Sequence, residues 1–146
     1  MIKKILFLKI LLLLLLSAMT LNAQKVEVII TGIRTEKGQI LIGVFKDDKS
    51  FKKEIPFLGK KFAKVGISNG EMKVQFSLEP GIYGLSLLDD ENSNGKMEYK
   101  LLRIPKEGFG FSDYYHKGIT KPKFDSFKFS INKDQTKKIT IRIRYM

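Results

Sequence analysis

Residues 71–79, EMKVQFSLE, alternate: Met72, Val74, Phe76 and Leu78 are apolar, and the residues between them are mostly charged or polar. A period of two puts the apolar set on one face of an extended chain and leaves the other to water, as in a half-buried antiparallel strand. The same pattern recurs at 138–145, KITIRIRY, where Ile139, Ile141 and Ile143 define a core face and Thr140, Arg142 and Arg144 face outward. SFKFSI at 126–131 alternates too. KVEVIITGI (25–33) and QILIGVFK (39–46) are rich in β-branched residues, and Gly38 in the polar RTEKG between them suits a hairpin or a short loop. IYGLSLLDD (82–90) follows the break at Pro80 and Gly81. Short strands with turns between them predict an all-β chain folded as a single antiparallel β-sandwich, Ig-like, with about seven strands.

Two segments depart from this pattern. The basic-aromatic insert at 47–69 is interrupted by Pro56 and Gly59 and reads as a long loop with one short helical turn or an extra edge strand. The glycine- and aromatic-rich segment at 105–124 reads as an ordered excursion over one end of the sandwich. Long loops of this kind are where function concentrates.

At the N-terminus, Lys3, Lys4 and Lys9 flank an apolar run centred on ILLLLLL, and Ala23 supplies a small residue before a cut. These are the parts of a secretory signal peptide over residues 1–23, which leaves one domain at 24–146. The competing reading is a membrane anchor over 5–21, a run nearly long enough to span. Polar residues follow it at once, without a stop-transfer flank, which favours cleavage, no membrane span in the mature chain, and a periplasmic or extracellular location. The chain has no cysteine, so packing must hold the exported domain together without disulfides. Removing Lys3, Lys4 and Lys9 takes the formal net charge from +12 to +9. Export argues against nucleic acid as the partner of this basic surface. A protein or glycan of the cell envelope suits it better, as does a plain solubilising role. The domain is expected to be a monomer.

The chemistry centres on DENSNGKME at 90–98. Oxygen-bearing side chains fall at alternate positions (Asp90, Asn92, Asn94), Gly95 allows a sharp turn, the carbonyl of Lys96 is a further donor, and Glu98 closes the set. Calcium takes six to eight oxygens, and alternate side chains of a tight loop converge on one point. The first half matches an EF-hand loop, but Leu101 stands where its bidentate Glu belongs and the flanks read as strands. A plain turn is the competing reading, since Asn-Gly is a preferred hairpin pair and Asp and Asn cap turns with their own side chains. If calcium binds, it is expected to bind weakly, at roughly 10⁻⁴ to 10⁻³ M, and to join the Asp90 end of one strand to a strand starting at Lys96. That would fix the loop at 106–118.

Nothing in the pattern indicates an enzyme. His116 is the sole histidine, near Ser112 and Asp113, with no nucleophile elbow or phosphate-cradling glycine motif. In EGFGFSDYYHKG (107–118), Phe109, Phe111, Tyr114 and Tyr115 either close the end of the sandwich or line a site for a small apolar or glycan ligand.

The segment at 80–112 resembles the signature of a bacterial secreted family known as domain of unknown function 2141. The resemblance rests on Pro80, Gly81 and Tyr83; Asp90, Asn92, Asn94, Gly95 and Lys96; and Pro105, Glu107, Gly108, Gly110, Phe111 and Ser112. Two positions depart: Glu98 stands for the usual Asp, and Arg103 for a usual Gly. The resemblance implies an exported sandwich like transthyretin or carboxypeptidase-regulatory domains, without an established activity, and it strengthens the metal reading of the loop.

Overall fold

The computed structural model describes residues 23–146, so the expected leader, apart from its last residue, lies outside the described residues. No helix among the described residues is long and apolar enough to cross a membrane. Eight strands are described: β1 (Gln24–Thr31), β2 (Gln39–Phe45), β3 (Leu58–Ala63), β4 (Glu71–Leu78), β5 (Gly81–Asp90), β6 (Gly108–Phe111), β7 (Lys128–Ile131) and β8 (Lys137–Arg142). They form a three-stranded sheet, β4-β1-β8, and a five-stranded sheet, β3-β2-β5-β6. β7 joins the second sheet beside β6, pairing with the Gly81–Gly84 half of β5 while β6 pairs with its Ser86–Asp89 half.

The alternating segments fold as expected. Met72, Val74, Phe76 and Leu78 are buried, as are Ile139, Ile141 and Ile143. They meet Ile40, Ile42, Val44, Tyr83, Leu85 and Leu87 of the second sheet in one aliphatic core. Full burial of each such side chain contributes about 1.5–3 kcal/mol, and this replaces the absent disulfides.

Three features refine the sequence reading. First, β1 and β2 do not form a hairpin; they lie in different sheets. Gly38 has φ +80°, and a Cβ there would sit 2.0 Å from the Asp90 carbonyl oxygen, so the chain crosses between sheets against the end of β5. Second, β1 pairs with β8 in parallel, with Val28 opposite Ile139, so the sandwich is not wholly antiparallel. Third, the insert at 47–69 holds both a short helix and a strand. Helix α1 (Asp48–Lys52) is capped by Asp47, whose carboxylate accepts the Ser50 amide at 2.7 Å, and it is anchored by buried Phe51.

Phe51 joins Phe45, Phe111, Phe124 and Phe127 in a second cluster. Gly84 alternates with the core-facing Tyr83 and Leu85, and a Cβ at Gly84 would meet the Phe127 ring at 2.5 Å. The five-stranded sheet is therefore packed on both faces, by aliphatic side chains within and by this aromatic layer outside. The chain beyond β8 closes one edge: the Ile143 amide donates to the Thr31 carbonyl, and Phe109 and Arg144 exchange backbone hydrogen bonds at 3.0 and 2.8 Å. One C-terminal segment thus touches both sheets.

Candidate functional site

The candidate loop springs from the end of β5, where two adjacent aspartates, Asp89 and Asp90, are both fully buried. Successive strand residues point to opposite faces, so each meets a different neighbourhood. Asp89 shares the core-facing side with Leu87, and its Oδ2 accepts the Tyr145 hydroxyl at 2.5 Å. Its Oδ1 is met by the buried Lys64 ammonium, which also donates to the Thr35 carbonyl at 3.0 Å. Burial, and then the bond to Asp89, hold the Tyr145 phenol well above its usual pKa, so it remains a donor. Arg34 stacks over the Tyr145 ring at 4.1 Å and clasps Glu91 with two hydrogen bonds, of 2.7 and 2.9 Å. That ion pair holds the Glu91 carboxyl below its usual range.

Asp90 organises the loop. Its Oδ2 accepts the Gln39 side-chain amide at 2.6 Å and the Gly95 amide at 2.9 Å, and its Oδ1 accepts the Asn94 amide at 3.1 Å. Asn92 Oδ1 accepts the Asn94 amide, and Asn94 Oδ1 accepts the Lys96 amide, each at 3.0 Å. Ser93 and Gly95 have φ +59° and +80°. No strand starts at Lys96. The chain instead makes a narrow finger, with the Lys106 amide donating to Glu98, Tyr99 bridged to Pro105, and the Lys100 amide donating to Ile104 at 2.7 Å. A 3-10 turn, Leu101–Arg103, forms its tip. Arg103, at the position where the resemblance has glycine, adopts the glycine-favoured φ of +57°.

The residue that sequence reasoning missed as a site member is Glu107. The β5–β6 register pairs Asp89 with Gly108, and one step further it sets Glu107 opposite Asp90. Glu107 is only 5% exposed, and its Oε1 has no hydrogen-bond partner. Its Oε2 receives only a long contact, 3.4 Å, from the Glu98 amide. Burial raises the Glu107 pKa above 4.5, and the charges of Asp90 and Glu98 add to this. The Glu98 and Glu91 amides oppose it in part. Like charges directly opposite across a strand pair are destabilising, so two buried carboxylates facing each other call for a proton or a cation. Glu98 itself is turned aside to accept the Asn92 side-chain amide. Among the described residues no three acidic, His or Cys side chains stand together as a ready-made metal cage.

Residues 28–140 match the family model described as an uncharacterised protein conserved in bacteria (DUF2141). The chain belongs to this family. The DUF2141 match starts within β1 and ends within β8, so it takes in both sheets, the loop and Glu107. No curated protein and no solved structure matches the chain significantly.

In this DUF2141 domain three of the four aromatic candidates pack together and the fourth, Tyr115, stands apart. Phe111 is buried in the outer phenylalanine cluster, with Phe109 and Tyr114 partly buried against it. Tyr115 is exposed, its ring beneath the Arg142 guanidinium at 4.7 Å. Two surface concavities lie elsewhere, one lined by residues such as Val65 and Met72, the other by residues such as Ile82 and Phe129; none of the four rings lines either. The His116 ring nitrogens face the Thr120 carbonyl and, at 3.5 Å, the Tyr114 hydroxyl.

Proposed function

We propose that this protein is an exported, non-catalytic β-sandwich acting as a binding or structural accessory module of the cell envelope, with a calcium ion tying the loop at 90–98 to Glu107. The observation that carries this reading is the buried Glu107 carboxyl, with one unpartnered oxygen, set across from buried Asp90. A divalent cation converts their repulsion into attraction. Asp90, Glu107 and Glu98 supply charged oxygens, while the Asn92 and Asn94 side chains and the Lys96 carbonyl supply neutral ones. Glu98 must swing away from Asn92 to complete the set. Oxygen-only donors of this kind suit calcium, with an affinity of about 10⁻⁴ M.

The test is thermal unfolding of residues 24–146, which hold all eight strands, in EDTA, in calcium and in magnesium. An ion that binds only the folded state raises the midpoint. The expected result is a rise specific to calcium that is lost in Asp90→Ala and in Glu107→Gln. An unchanged midpoint would reduce the loop to a hydrogen-bonded turn. The reading of the aromatic loop as a ligand carrier has less support, because Phe111 is packed away among other rings.

A further inference from the structure

Beside the candidate loop stands a feature that the calcium reading does not use. Leu101 and Leu102, at the tip of the finger, are 87% and 85% exposed, and Tyr99 and Ile104 beside them are exposed as well. Two adjacent leucines held almost wholly in water are unusual on a monomer. They are not frayed into that position. The finger is closed at its base by the Lys100–Ile104 and Lys106–Glu98 backbone hydrogen bonds and by the Tyr99–Pro105 bridge. At the tip, Leu102 and Arg103 hold left-handed φ values of +61° and +57°, a conformation that non-glycine residues adopt seldom.

We propose that this finger inserts into the surface of an anionic lipid bilayer, with Leu101 and Leu102 entering the acyl boundary. Charge complementarity selects the occupant. Arg103 and Lys106 flank the tip, both exposed, Lys100 beside them donates to the Met146 carbonyl at 3.2 Å, and residues 99–106 contain no acid. Glu54, whose charge acts on Tyr99, is already paired with Lys121. Shape points the same way. The tip is convex, and its apolar surface is on the order of a few hundred Å², whereas a stable protein interface needs roughly 800 Å² per partner. A bilayer needs only a small apolar wedge with cations at headgroup level, and a tyrosine at the edge of the wedge suits that interface.

The chain has no tryptophan, so Leu101→Trp supplies a clean reporter. Residues 24–146 are mixed with vesicles of phosphatidylcholine alone or with phosphatidylglycerol added, in EDTA and again in calcium, so that failure of the calcium reading leaves this test intact. The expected result is co-sedimentation with the anionic vesicles only, with a blue shift of the introduced indole's emission that brominated lipid quenches. Leu101→Ser with Leu102→Ser should weaken binding at least tenfold, and Arg103→Gln or Lys106→Gln about fivefold each, with melting midpoints unchanged because these side chains are outside both cores. Absence of vesicle binding in both buffers overturns the proposal, as does binding that the double serine variant leaves intact, which would be surface charge alone. Self-association abolished by the serine pair without any lipid binding overturns it in favour of a second copy.

Discussion

At the scale of single residues, Glu107 makes the sharpest demand on the solvent. Its folded pKa lies above the unfolded value of 4.5 because it is buried and faces Asp90 and Glu98. Between 4.5 and the folded value, the native state keeps a proton that the unfolded chain releases. Stability therefore falls as pH rises through that window, and the loss persists above it. Glu91 has the opposite sign: its pKa is depressed by Arg34, so its contribution is present at neutral pH and is lost as pH falls through its folded value. Urea unfolding at a series of pH values in EDTA should show the first slope, and Glu107→Gln should remove it while raising stability at neutral pH. Saturating calcium should remove the slope in the wild type as well. A wild-type curve already flat from pH 4.5 to neutrality would mean that Glu107 is solvated. The carboxyl was readable as a residue in the sequence, but its burial was not, because that follows from a register of two strands separated by a 17-residue excursion, 91–107.

At the scale of elements, β5 carries the fold and the candidate site together. It pairs with β2 along one edge and with β6 and β7 along the other, and it ends in the two aspartates. The Lys64–Asp89 pair at that end is buried on both sides. Breaking a buried pair by removing one partner costs about 3–5 kcal/mol, because the other charge is left stranded. Lys64→Met should show a loss of that size in urea unfolding, and adding Asp89→Asn should recover part of it. A loss below about 1 kcal/mol would mean that the pair behaves as a surface one. Strands β4 and β8 were legible because their alternation matches a half-buried sheet. β6, GFGF, was not, since two glycines in four residues carry little strand signal. β3, LGKKFA, was legible only as a possible extra strand, because its lysines and glycine suit an edge. Of the hairpin and the short loop that suited Gly38, the hairpin is not formed, because turn chemistry is local. Gly38 is needed for its contact with β5, not for a tight reversal. Asp90, Asn92, Asn94, Lys96 and Glu98 lie along one hydrogen-bonded stretch, but the strand expected to start at Lys96 is a finger instead.

At the scale of the whole molecule, the architecture holds without disulfides because the five-stranded sheet is packed on both faces. The segment after β8 completes it: Ile143 enters the core, Arg144 pairs with Phe109, and Tyr145 reaches Asp89. Deleting residues 143–146 should abolish a cooperative thermal transition, which circular dichroism would report. A truncated chain that melts sharply within a few degrees of the parent would show that closure of this edge is dispensable. The parallel pairing of β1 with β8 has a consequence in time as well as in space. A chain that emerges in order, amino end first, can pair β1 with β4 early, yet the other edge of β1 has no native neighbour until Lys137 to Arg142 arrive. Until then that edge is a template for any passing strand. The three-stranded sheet is therefore closed last, by the strand that is last in the chain.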